Sequence, residues 1–207
     1  MKVLAIGPHP DDIEIGCGGT LLKLRAGGAE IVKLVMTRGE VGGAPKTRAR
    51  EEQASAKRMG AKILWGGFRD TRIQSNRISI NKVGGVISQV NPELVLVNFR
   101  DDTHQDHRQT AQIVMSATRH LHNVLFYEVP TTLNFIPTIF MDIGEVLVQK
   151  LDLLKAHQSQ IQETKVRGLS ILDSAQACAV FRGFQDRVKF AEGFVPLRFS
   201  LDSWLVR

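Results

Sequence analysis

A chain of 207 residues, 43% apolar and 23% charged, is long enough to bury a core without staples and has the make-up of an ordinary globular protein, which excludes a disordered or fibrous chain. Its formal charge of +6 is carried by Lys and Arg scattered among acids, as between Lys46 and Lys57, and the absence of a dense basic block argues against nucleic acid as a partner. Cys17 and Cys178 are too few for a disulfide framework, no apolar segment reaches spanning length, and the opening run breaks too early for a signal peptide, so a soluble, cytoplasmic protein with no membrane span is expected.

The apolar run at residues 3–6 reads as a short buried strand and feeds into Gly7-Pro8-His9-Pro10-Asp11-Asp12, a loop stiffened by two prolines. The glycine cluster Gly16-Cys17-Gly18-Gly19 follows, and residues 20–24 begin a helix that Gly27-Gly28 stops. Residues 30–36 form the second strand, and 37–46 are glycine-rich and polar, a flexible loop suited to covering a site. Residues 47–59 are helical with Gly60 as their stop, 61–65 give a third strand, and 66–76 another polar loop. A helix over 78–90 and a turn at Asn91-Pro92 lead to Leu94-Val95-Leu96-Val97, the aliphatic pattern of a strand buried on both faces. The polar stretch 98–108 precedes a helix from about 109 to 120 and a fifth strand at 124–127.

Strands alternating with helices predict an α/β fold: a Rossmann-like, mostly parallel sheet with helices on both faces. After Tyr127 the pattern changes. Pro130 and Pro137 interrupt it, residues 138–143 read as a strand, 145–157 and 161–181 as helices, and 189–194 as a short strand. No linker separates this part, so the expectation is a single domain over 1–207, with a core at about 1–127 and a C-terminal elaboration at about 128–207.

His9 and Asp12 are three apart, so one nitrogen and one oxygen can converge on a cation while Asp11, between them, stays free to handle protons. These are also ordinary turn residues, and the loop alone decides nothing. The second polar run, Arg100-Asp101-Asp102-Thr103-His104-Gln105-Asp106-His107, follows the fourth strand as the first run follows the first strand. In a parallel sheet both loops emerge at the carboxyl edge, and the two clusters together predict one metal site. Nitrogen and oxygen donors without a thiolate cluster suit a catalytic zinc, or another divalent transition metal, with a position left for water. Spacing alone leaves open whether His104 or His107 is the ligand. Cys17, among the glycines, reads as a small packed residue.

Rival readings exist. The glycine cluster before a helix suggests a nucleotide-binding domain, but its spacing fits neither the dinucleotide nor the P-loop pattern, and carboxylates crowd the loop. The same residues also admit a metal-dependent phosphoesterase or a non-catalytic metal-binding protein.

The run Pro8-His9-Pro10-Asp11-Asp12-Ile13-Glu14-Ile15-Gly16-Cys17-Gly18-Gly19 resembles the signature of the LmbE-like, or PIG-L-like, zinc-dependent N-deacetylase family. His104-Gln105-Asp106-His107 resembles that family's second motif, although Gln105 stands where the family often has Pro, a change of backbone stiffness rather than of donors. Weaker echoes at Arg48-x-x-Glu51, His157-x-Ser159-Gln160, Arg167-Gly168 and Ala191-Glu192-Gly193-Phe194 extend the similarity along nearly the whole chain. The resemblance implies His9, Asp12 and His107 as zinc ligands, Asp11 as general base, and His104, oriented by Asp106, as a donor to the developing oxyanion. It implies removal of the N-acetyl group from an N-acetylglucosamine-type sugar conjugate, by a chain that can form homo-oligomers. Arg48, or its neighbour Arg50, is the candidate grip on the substrate. His157, Ser159 and Gln160 are candidates for lining the pocket, and Glu14 for orienting the ligands.

Overall fold

The computed structural model describes residues 1–161 and 164–200. Strands β1 (Lys2–Gly7), β2 (Glu30–Val35), β3 (Lys62–Trp65), β4 (Leu94–Asn98) and β5 (Val124–Tyr127) alternate with helices α1 (Asp12–Ala26), α2 (Pro45–Met59), α3 (Arg77–Val90) and α4 (Gln105–Ala117). Then come β6 (Ile139–Asp142), a single 3-10 turn, α5 (Leu147–Leu154), α6 (Ile171–Asp186) and β7 (Ala191–Arg198). All seven strands join one sheet in the order β3-β2-β1-β4-β5-β7-β6. The first five are parallel, and β7 runs antiparallel to both β5 and β6. This is the α/β, mostly parallel architecture that the alternating pattern predicts.

The period of two along each strand sorts its side chains between two cores. Leu4, Ile6, Leu34, Val95, Val97 and Phe126 pack beneath α3 and α4, with Val83, Ile87, Ala111 and Val114. Val3, Ala5, Ile31, Val35, Leu96 and Tyr127 face α1, α2 and α5 through Ile13, Cys17, Met59 and Leu153. Every residue of β4 is buried, and each of its large aliphatic side chains contributes about 1.5–3 kcal/mol to the folded state. β1 and β4 lie side by side, with the chain wound outward from this pair in both directions. Such a reversal opens a crevice at the carboxyl ends of the two strands.

The largest departures from the expected bounds are in four elements. α1 begins at Asp12 rather than at residue 20, and the glycines lie inside it. Gly16 is there for close packing: a Cβ on it would lie 2.0 Å from the ring of Tyr127, whose hydroxyl donates to the Ile6 carbonyl at 2.8 Å. At Cys17 the helix kinks, and the N–H groups of Gly19 and Thr20 donate to the Glu192 carboxylate at 2.8 and 2.7 Å. The glycine cluster thus seats a tyrosine and a glutamate, not a phosphate. α4 starts at Gln105, so His107 stands on a helix. α6 starts at Ile171, where Ser170 and Asp173 form a capping box; part of the helix expected from residue 161 lies outside the described residues. β7 continues to Arg198, past the expected end at 194. Among the described residues no helix is long and apolar enough to cross a membrane.

Candidate metal centre

The end of β1 delivers His9 and the start of α1 delivers Asp11 and Asp12. Asp11 caps the helix with φ of 97°, a left-handed conformation that costs a non-glycine residue about 1–3 kcal/mol and that gathers at functional sites. The end of β4 delivers His104, the cap of α4, and His107 in that helix's first turn. Both runs therefore meet at the switch between β1 and β4.

A single carboxylate oxygen is the focus. Asp12 Oδ2 lies 3.2 Å from His9 Nδ1 and 3.4 Å from His107 Nε2, and it accepts the His9 backbone N–H at 2.9 Å. Donors bound tetrahedrally to zinc at ordinary bond lengths are separated by about 3.3 Å, so the two observed separations fit such an ion. The far side of each ring agrees. His107 Nδ1 donates to Asp102 Oδ2 at 3.0 Å, which turns Nε2 toward Asp12 as the nitrogen that would bind a cation. His9 Nε2 faces Asp70 Oδ1 at 3.0 Å and Asp106 Oδ2 at 3.3 Å, which makes Nδ1 the nitrogen that would bind a cation.

Burial alone would depress both imidazoles, but the facing carboxylates reverse that. His9 is held well above its ordinary range by Asp106, Asp12 and Asp70, and His107 is lifted to about 9 by Asp12 and Asp102. In return Asp12 is held well below the usual carboxylate range, against the opposing effect of its burial. Negative charge thus dominates the focus, as a cation requires. Burial pushes Asp11 up to about 6, opposed by the charge of Arg48 and reinforced by that of Asp12.

His104 stands against the other two rings, its centroid 4.7 Å from His9 and 4.9 Å from His107. The expected support from the Asp106 carboxylate is replaced by a backbone contact. The Asp106 N–H donates to His104 Nδ1 at 3.2 Å, while the carboxylate accepts from the backbones of Thr71 and Ile73 and faces His9. Burial and the charges of His9 and His107 lower the His104 pKa, so the ring is a neutral donor at Nε2 rather than an imidazolium.

Arg48 arrives from α2, and both terminal nitrogens of its guanidinium are already committed. It donates to the Pro10 carbonyl at 2.7 Å, to Asp11 Oδ2 at 3.2 Å and to the Gly39 carbonyl at 3.3 Å. It holds the Asp11 loop in place, and Arg50 is exposed. Gln160 does reach the site: with Val41, Gly42 and Thr71 it walls an open groove of about 300 Å³ above the imidazoles. Its amide donates to the Gly42 carbonyl at 3.2 Å, and Ser159 binds Glu51 through both backbone and hydroxyl. Glu14 and His157 point elsewhere, into a buried cluster behind α1. Asp70 and Asp102 carry no motif signal of their own. Asp102 lies in the second polar run, while Asp70 sits in a loop whose composition is that of any polar connection.

This arrangement belongs to metal-dependent hydrolases that work at the carboxyl edge of a parallel sheet. Residues 4–118 match the family described as PIG-L: GlcNAc-PI de-N-acetylase. The chain is 38% identical over 168 residues to YaiS of Escherichia coli (strain K12), described as an uncharacterized deacetylase, across 76% of this chain and 90% of the relative. Among solved structures, the conserved protein TT1542 of Thermus thermophilus superposes with a TM-score of 0.86 at 25% identity, covering 96% of this chain and 95% of its own. The N,N'-diacetylchitobiose deacetylase of Pyrococcus horikoshii follows with a TM-score of 0.84 at 26% identity, covering 95% and 83%. The chain belongs to the PIG-L family and is an N-deacetylase.

Proposed function

We propose that the chain removes the N-acetyl group of an N-acetylglucosamine-type sugar, using a zinc or similar divalent ion held by His9, Asp12 and His107. The observation that carries this reading is the approach of His9 Nδ1 and His107 Nε2 to the one Asp12 oxygen, at 3.2 and 3.4 Å, next to the carboxylate of Asp11. The diacetylchitobiose substrate of the Pyrococcus relative supports the sugar. When bound, such an ion polarises the acyl carbonyl and makes water acidic enough to attack near neutral pH.

Asp11 takes the proton of the attacking water and returns it to the departing nitrogen, which would otherwise leave as an unstable amide anion. Its environment suits that exchange: burial makes it more basic than an ordinary aspartate, and Arg48 fixes its direction. His104 donates from Nε2 to the carbonyl oxygen as negative charge builds there, worth about 3–4 kcal/mol. A neutral donor suffices for this, as backbone and side-chain amides do in other oxyanion holes. Thr71 and Gln160, on the groove walls, offer a hydroxyl and an amide to sugar hydroxyls.

Incubation with N,N'-diacetylchitobiose and related acetamido sugars tests the reading. Acetate and free amine should appear in equal amounts, stop on chelation and resume when zinc is restored. Folded, ion-loaded protein that releases neither from any acetamido sugar would overturn the substrate class.

A further inference from the structure

Behind α1 lies a second group of ionisable side chains, none of which touches the groove. Lys33 of β2 is fully buried and makes ion pairs with both Glu14 of α1 and Glu52 of α2. Ser55, one turn beyond Glu52, donates to the same Glu14 oxygen. His157 Nε2 stands 3.6 Å from Glu14 and 3.9 Å from Glu52. Glu14, Glu52 and His157 are spaced as metal ligands are, but the Lys33 ammonium already sits between the two carboxylates as the cation.

The cluster interrupts a core that apolar residues would fill. Lys33 takes the position between Ile31 and Val35 that strand alternation assigns to the interior, opposite the small Ala5 of β1. A buried ion network is a poor source of stability, and well-packed apolar residues of similar volume often do as well or better. A reason other than stability is needed, and the connections supply one. Glu14 lies two residues past Asp12, in the turn that Asp11 caps. Glu52 lies one turn past Arg48 on the same face of α2. His157 opens the segment that ends in Gln160, and Glu51 of α2 holds Ser159 of that segment at 2.8 and 2.6 Å. The two helices that carry Asp11 and Arg48 are thus each tied to the same ammonium, and the segment ending in Gln160 packs on the second of them.

We propose that Lys33 is a positioning residue: by tying β2 to the first turn of α1 and to the middle of α2, it sets the distance between Asp11 and Arg48. The contact it governs is the 3.2 Å hydrogen bond from Arg48 to Asp11, together with the 2.7 Å bond to the Pro10 carbonyl. A displacement of about 1 Å at such a contact costs on the order of 100-fold in rate.

Lys33→Met alone leaves Glu14 and Glu52 with the His157 imidazole, 3.6 and 3.9 Å away, in place of the ammonium they share, and is expected to be strongly destabilised. The informative protein is therefore the variant of similar volume Lys33→Met/Glu14→Gln/Glu52→Gln, which removes the ammonium and both carboxylates together, studied at full length with and without zinc. Hydrogen exchange should quicken in residues 8–14 and 44–52 while the amides of β1, β4 and β5 keep their protection. The variant should still bind one ion, and its kcat should fall about 10- to 100-fold with KM nearly unchanged. Exchange that is unchanged in both segments, or that quickens evenly over the whole chain, would reduce Lys33 to a packing role and overturn the proposal. The kinetic arm rests on the function proposed above; the exchange pattern does not. If the wild-type chain released no amine from any acetamido sugar, that function would fall and the exchange result would still decide the role of Lys33.

Discussion

The first turn of α1 serves two charged clusters of opposite logic. Asp12 joins two imidazoles at the open edge of the sheet, where among the described residues no lysine or arginine pairs with its carboxylate and the proposed cation would enter from outside. Glu14, two residues on, joins Glu52 around an ammonium that the chain itself supplies. The comparison teaches that ligand spacing does not identify a metal site. What separates the two is whether a side chain already provides the positive charge and whether a groove leads in.

Replacing one imidazole breaks the comparison most severely. His107→Ala should lose both the ion, measured by elemental analysis after purification without chelator, and all turnover. A full complement of ion in that variant would mean that the cation sits elsewhere. Asp11→Asn is expected to keep the ion and the fold yet lose about 10²–10⁴-fold in kcat, because only the proton acceptor has gone. Activity retained in Asp11→Asn would remove the base from the mechanism. The mildest test is Asp102→Asn, which keeps the shape behind His107 but weakens its acceptor. Ion affinity, measured by competition with a chromophoric chelator, should drop about 10- to 100-fold. An unchanged affinity would show that His107 needs no carboxylate to fix its tautomer.

Much of this was legible in the residues. β4 announces itself as an unbroken aliphatic run, and the two polar runs at the ends of β1 and β4 point to one site once the sheet is taken as parallel. The start of α4 is hidden because its cap is His104, a residue outside the usual capping set of Ser, Thr, Asp and Asn. The start of α1 is hidden because its glycines look like a loop, and residues distant along the chain, Tyr127 of β5 and Glu192 of β7 among them, explain them. β7 runs past its expected end through Pro196, which a strand interior would reject. That is tolerated because β6 pairs only with Ala191–Phe194, leaving Pro196 with a neighbour on one side alone. Lys33 carries a visible signal, a lone cation within an otherwise apolar strand, but its two carboxylates lie on separate helices and no local spacing connects them.

The pairing of β1 with β4 also governs when the site can come into being. Leu94–Val97 must dock against Val3–Ile6 before His107 can meet Asp12, and β2, α2, β3 and α3 all intervene along the chain. Helices form locally and fast, whereas contacts between distant stretches of chain are slow to close. During refolding, uptake of an ion would therefore lag behind the gain of helical signal. The proposed ligand set would work as a clock, and what it would time is the closing of the β1–β4 pair.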